Sequence, residues 1–421
     1  MTKKIHEPFF HLTKRATIGK PAAWGIRGAA FVFSVLFCAI VTVIITKKDM
    51  GFYFETFFHG VFGTPRNVWN FFHETAILLL IALAVTPCFK MKFWNIGGEG
   101  QVLMGALGTA VIVVFMGGKS SDIATIIVSL IVAIGFGVVW CVIPAIFKAK
   151  WNTNETLLTL MMNYIAVCLV DYFIKSVATS GTGILTFDAG VIGPIAGNEF
   201  ILKIIIAVIA VVFMALYLKF SKHGYEISVV GESVNTAKYV GIKTGNVIIR
   251  TMVLCGIMCG LIGFLIVSAT DHSINSASTV SGRGFIGVLI SWLAQFNPIT
   301  MVIASFLFVF IDRGSISVSN YARLGDSYSD VMTGIFFFFI IAVEFFVNYK
   351  VVFRENVQIK LDGVDNKIRH ALKMKPKPGT IEEKEDEEKY SDEKNKESVE
   401  ETTQEEKVEN SSVEEEIKED K

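Results

Sequence analysis

Long apolar runs alternate along this chain with short stretches of lysine, glycine or aromatic residues. About 20 apolar residues carry a helix across a bilayer. On that measure the pattern predicts spans over 24–46, 74–89, 101–116, 123–147, 157–177, 201–218, 247–269 and 331–352. Residues 285–296 and 299–311 flank Asn297-Pro298 and are each too short to cross, so they are expected as paired short helices within the bundle. The expected fold class is an all-α membrane protein, a bundle of about ten transmembrane segments with broken or short helices. The rings of 50–72 are expected to settle at the outer interface of the membrane. Gly256, Gly260 and Gly263 recur at three- and four-residue spacing, which lets helix backbones approach closely.

Charge gives the direction of the spans. Lys3, Lys4, Lys14, Arg15, Lys20 and Arg27 precede or open the first run, and Lys90, Lys92, Lys148, Lys150, Lys219 and Lys222 follow alternate later ones. Both termini are therefore expected in the cytoplasm, with Lys47 and Lys48 opposing the trend. The domain reading is a cytoplasmic segment 1–23, a transmembrane domain 24–355 containing an inner loop 221–246, and a tail 356–421. The formal charge of zero hides a division: residues 379–421 hold 19 acidic and 7 basic side chains, leaving the rest with an excess of 12 positive charges. So acidic and poorly apolar a tail is expected to be disordered from about residue 375. Basic residues that punctuate apolar runs, without forming a patch with aromatics, argue against a nucleic-acid partner.

The chemistry concentrates in one polar break, Phe93-Trp94-Asn95-Ile96-Gly97-Gly98-Glu99-Gly100-Gln101, between two apolar runs. In hydrocarbon, non-helical backbone and a carboxylate persist only where protein covers them or a watery path runs past. Glu99 has two readings: it lines the translocation route or holds the break in shape for a polar solute, or it caps the following helix and bonds Asn95 or Gln101. Gly97, Gly98 and Gly100 supply unusual backbone angles. Asn154 and Glu155 open a later span whose Glu155, Thr159 and Asn163 share a helix face, suited either to a ribose or base edge or to interhelical hydrogen bonds. Asp171 and Lys175 are spaced to pair. With Asn95, Gly97, Gly98, Glu99 and Gln101, Thr159 and Asn163 form the candidate substrate path.

Other chemistries find little support. The six cysteines sit in apolar runs without CxxC spacing, arguing against a disulfide framework or structural zinc. The seven histidines are scattered, His73-Glu74 is not an HExxH pair and GxxxxGK[ST] is absent, so no metal, cofactor, catalytic residue or bound ATP is expected.

Four ordered stretches resemble one family. Phe93–Ala110, the run from Asn154 to Ala166, the run from Gly231 to Ile242, and Gly284-Phe285-Ile286-Gly287-Val288 with Asn297-Pro298 are similar to segments of permease subunits of ATP-binding-cassette importers, in the branch serving nucleosides and simple sugars. The resemblance covers roughly residues 24–355; Ser233-Val234-Asn235, Trp292 and Gln295 depart from it. It implies a plasma-membrane conduit that works by alternating access. The implied partners are an ATP-binding subunit, a second permease chain (a paralogue is expected) and an extracellular substrate-binding lipoprotein. In the inner loop, helix-forming residues over 233–239, framed by Gly231 and Gly241, predict a short helix along the membrane, and the resemblance seats it on the ATPase through Gly231, Glu232, Ala237, Lys238, Tyr239, Gly241 and Ile242. Two rivals stay open, an ion-coupled secondary transporter using Glu99 and a membrane-embedded enzyme.

Overall fold

The computed structural model describes residues 10–14, 20–178, 183–195 and 197–353. The acidic stretch 356–421 and most of the segment 1–23 lie outside the described residues. The chain begins with β1 (Phe10–Lys14), α1 (Lys20–Thr46), α2 (Met50–Phe62), α3 (Pro65–Lys90), α4 (Gly98–Met116), α5 (Asp122–Trp151) and α6 (Glu155–Val177). Strand β2 (Ile184–Thr186) precedes α7 (Ile201–Phe220), α8 (Lys222–Glu232), α9 (Val234–Tyr239) and α10 (Thr244–Ile266). A π-turn (Val267–Asp271) extends α10, followed by β3 (Ser273–Asn275), α11 (Arg283–Leu293), α12 (Pro298–Ala322), α13 (Asp326–Asn348) and β4 (Tyr349–Phe353).

The chain divides into two compact units. In the described part of Met1–Ala30 with Ala342–Lys421, β1 pairs antiparallel with β4, Phe10 opposite Phe353. The other unit, Phe31–Ile341, holds the helical bundle. Its centre is α3, α4 and α10, whose most apolar 18-residue stretches are 89%, 67% and 78% buried, against 22% for α1, α5 and α7. A helix apolar on every side belongs inside, and α3 is buried almost without interruption from Thr75 to Phe89. The small residues set how near its neighbours come. Added methyl carbons at Gly256 and Gly260 would lie 2.6 and 2.5 Å from α5 backbone, and at Gly105 2.7 Å from the Gly260 Cα. Close backbone approach through such residues drives helix association where lipid removes the hydrophobic contribution.

Among the described residues eight helices are long and apolar enough to span a membrane, and two shorter apolar ones add to them. The total matches the sequence expectation, but its division differs. The stretch 299–311 is part of α12, a helix of 25 residues; only α11, with 11, is short. Asp312 and Arg313 look like the end of an apolar run, yet the helix passes through them because Arg313 finds a carboxylate on α3. The second span likewise begins at Pro65, capped by Thr64, and not at Glu74, which lies well inside it. The aromatic stretch is not simply an interface belt. Tyr53, Phe57 and Phe71 are buried, Phe57 packs on Phe310 (5.3 Å between centroids) and Phe71 on Phe306 (4.7 Å), so α2 and α3 are held to α12. Cys168 is exposed on α6, whereas the other five cysteines are buried; all six are free thiols.

Candidate functional site

The break between α3 and α4 is a backbone with several polar groups claimed by neighbouring side chains. Pro87 lies near the end of α3, and Lys92 turns the chain with a φ of 60°. Asn95 then organises the loop. Its Oδ1 accepts from the Gly97 N–H (3.0 Å) and from Gln101 Nε2 (2.9 Å), while its Nδ2 donates to Gln101 Oε1 (3.0 Å). The facing helix α6 supplies the rest. Asn163 donates from Nδ2 to the Ile96 carbonyl (2.9 Å) and accepts at Oδ1 from the Gly100 N–H (2.9 Å); the Thr159 hydroxyl accepts from the Ile96 N–H (3.2 Å). Asn95, Gln101, Thr159 and Asn163 are all buried, as are Gly97 and Gly98. Where water is excluded each such group must find a protein partner.

Glu99 reaches partners that the sequence did not foretell. It bonds neither Asn95 nor Gln101. Its two carboxylate oxygens accept from the backbone N–H groups of Gly282 and Gly284, each at 2.8 Å, so α4 caps the start of α11. A carboxylate facing helix amides is favoured by charge as well as by hydrogen bonding. Gly282 holds a φ of 75°, the left-handed conformation that glycine adopts freely. Glu99→Gln is expected to lose one of these charge-assisted bonds and turn an amide N–H towards the other donor, costing on the order of 1.5–3 kcal/mol. Thermal unfolding of the purified protein measures that loss.

Between Gly282 and Gly284 stands Arg283, and it leads to a second carboxylate. Glu74 of α3 receives Arg283 at 2.6 Å and Arg313 of α12 at 2.7 Å, with all three side chains at most 29% exposed. The amino end of α11 is thus fastened twice, to α4 through backbone and to α3 and α12 through charge. Sequence reasoning missed this triad because it took charged residues as ends of spans. Counting isolated opposite charges well inside apolar stretches would have found it.

Elsewhere Glu155 pairs with Lys148 at 2.8 Å and Asp171 with Lys175 at 2.6 Å. The short helix expected over 233–239 is α9, capped by the Ser233 hydroxyl accepting from the Thr236 N–H (3.2 Å). Of the residues assigned to that segment, Gly231 and Ala237 are buried and Ile242 half-buried, while Glu232, Lys238, Tyr239 and Gly241 are exposed. Tyr239 is 94% exposed and Val240 61%, an apolar tip on a well-anchored base. Gly231 sits so tightly against the Lys90 carbonyl that a side chain there would collide with it. Glu226 binds Arg250 of α10 at 2.6 Å, and that hydrogen bond holds its carboxyl below the usual carboxylate range. The α8–α9 segment is therefore fixed both to α10 and to the end of α3 from which the break departs. These anchors keep the site residues of the break and those of the inner loop in separate places.

Comparison with known proteins gives the family. The family described as branched-chain amino acid transport system / permease component matches residues 67–341. A nucleoside ABC transporter permease protein of Lactococcus lactis is 28% identical over 335 residues, 76% of this chain and 90% of that protein. A guanosine ABC transporter permease protein of Bacillus subtilis is 27% identical over 295 residues, 68% of this chain and 84% of its own length. A glucose ABC transporter permease protein of Haloferax volcanii is 27% identical over 290 residues, covering 65% and 76%. No solved structure matches the chain significantly.

Proposed function

The chain belongs to the family of branched-chain amino acid transport system permease components, and from that premise we propose that it is the membrane subunit of an ATP-driven importer of nucleosides. It is a multi-pass membrane protein and a transport component. Nucleosides come before simple sugars because relatives named for nucleoside and guanosine transport align over 76% and 68% of the chain. The observation that carries the mechanism is the α8–α9 segment, with its exposed Tyr239–Val240 tip and its buried Gly231 pressed on the last turn of α3. A rigid handle so placed can pass a push from a separate ATP-binding subunit to the break.

In this reading the chain sits in the plasma membrane with both termini in the cytoplasm, beside a second permease chain, a paralogue. An extracellular substrate-binding lipoprotein delivers solute to the opposite face. Asn95, Gly97, Gly98, Gln101, Thr159 and Asn163 stiffen the wall of the path, and Glu99 ties that wall to α11. Net uptake then follows from a difference in solute affinity between the two conformations. An ion-coupled carrier would need a carboxylate free to exchange a cation, and Glu99 has both oxygens engaged by backbone. Replacing 237–241 with a glycine-serine stretch is expected to abolish ATPase binding and guanosine uptake while membrane insertion is retained. Co-purification and vesicle uptake read the two effects; normal ATP-coupled uptake in that variant would remove the handle.

A further inference from the structure

The bundle carries a buried cation that none of the arrangements above uses. Lys203, near the start of α7, is 0% exposed, and its Nζ has no hydrogen-bond partner and lies in no ion pair among the described residues. Beside it His73 of α3, 5% exposed, has an unpartnered Nδ1. The ring of Phe200 gathers both: its centroid is 5.2 Å from that of His73 and 5.7 Å from the Lys203 ammonium. The acidic groups acting on Lys203 through space are Asp271, Glu199 and Glu74. Asp271 ends the π-turn of α10, and its neighbours Thr270 and His272 carry two more buried polar atoms without partners, Oγ1 and Nδ1.

A buried polar group is almost always hydrogen-bonded, and an ionisable side chain in a membrane-spanning helix is expensive unless it serves a function. Single π-turns within α-helices are frequent at functional sites. Unpartnered buried groups of α3 and α7 therefore gather around Phe200, and Asp271 of the π-turn, with Thr270 and His272 beside it in the chain, acts on the same lysine. Asp271, Glu199 and Glu74 add negative charge around Lys203 without pairing with it, which disfavours an anion. An ammonium, imidazoles and a hydroxyl together suit a neutral solute that offers acceptors and donors along one edge.

We propose that Lys203, His73 and the π-turn residues Thr270 and Asp271 form a recognition subsite for a neutral polyhydroxylated solute, with Lys203 donating to an acceptor oxygen or nitrogen of a nucleoside. The nucleoside identity rests on the function proposed above; the subsite rests on the orphaned groups. The test is equilibrium binding of radiolabelled guanosine to the full-length chain in nanodiscs, without a binding protein, for the wild type, Lys203→Met and His73→Phe. Methionine has similar length and removes only an unpaired charge, so the unfolding temperature of Lys203→Met should be equal to or above the wild type. Guanosine affinity is expected to fall at least about tenfold in Lys203→Met and severalfold in His73→Phe. Unchanged affinity, or a lowered unfolding temperature accompanying the loss, would overturn the subsite. If the wild type binds no guanosine, D-glucose is the second probe and the same tenfold criterion applies; binding of neither overturns it. Uptake by the assembled importer tests the nucleoside reading separately.

Discussion

Glu74→Ala is expected to destabilise the protein by on the order of 3–5 kcal/mol and to abolish uptake, because it leaves two guanidinium groups facing one another without their shared carboxylate. Arg283 and Arg313 approach Glu74 at 2.6 and 2.7 Å, and no other ion pair of either arginine occurs among the described residues. The cost of breaking such a set exceeds its net worth when whole, since the orphaned charges remain in a poorly hydrated place. Replacing all three with apolar residues of similar volume, Glu74→Leu with Arg283→Met and Arg313→Met, separates stability from motion. That triple variant is expected to recover much of the lost stability, as buried ionic triads often give way to apolar packing at little cost. Uptake by the triple variant should stay well below the wild type if the triad holds α11 in register between α3 and α12. Thermal unfolding and vesicle uptake on the same preparations give both numbers, and full recovery of transport would make the triad a packing device alone.

Gly231→Val should uncouple the protein without unfolding its centre. The glycine lies against the Lys90 carbonyl with no room for a side chain, so any replacement pushes α8–α9 off the end of α3. The central helices do not depend on that contact: α10 packs on α5 and α4 through its own glycines. The expected outcome is a fall in ATP-dependent uptake of at least about tenfold, with the unfolding temperature changed by a few degrees. Overpacking at a rigid contact of this kind typically costs about 1–3 kcal/mol locally. Solute-stimulated ATP hydrolysis by the assembled importer is the sharper readout, because a displaced handle can still bind the motor. Retained stimulation would show that force does not pass through Gly231.

The elements most legible in the sequence were those decided by apolar length and by local helix-forming runs. The break announced itself through Asn95 and Glu99, and α9 through the helix-forming run Ser233–Tyr239 framed by Gly231 and Gly241. The expected unusual angles at Gly97, Gly98 and Gly100 are not found: Gly97 has a φ of −80°, the other two lie in α4, and what they allow is close packing, a methyl carbon on Gly100 coming within 2.8 Å of Asn163 Oδ1. The face carrying Glu155, Thr159 and Asn163 was foreseen and is buried as a set. What escaped depends on partners distant in sequence. Glu99 meets Gly282 and Gly284, 183 and 185 residues away, and periodicity carries no information about such a pairing. The same blindness cut α12 at Ile311 and began α3 at Glu74. A charge inside a span reads as an end until its counter-charge on another helix is known. Lys203 was passed over for a related reason: two residues from the start of α7, it looks like an interfacial lysine, and only burial reveals otherwise.

The most direct measurement places the purified chain in sealed vesicles, with and without the proposed ATP-binding subunit, second permease and binding protein, and follows guanosine inside. The complete set with ATP should concentrate guanosine, and the chain alone should not do so under any proton or sodium gradient. Accumulation by the chain alone on such a gradient would contradict a conduit driven by a separate motor.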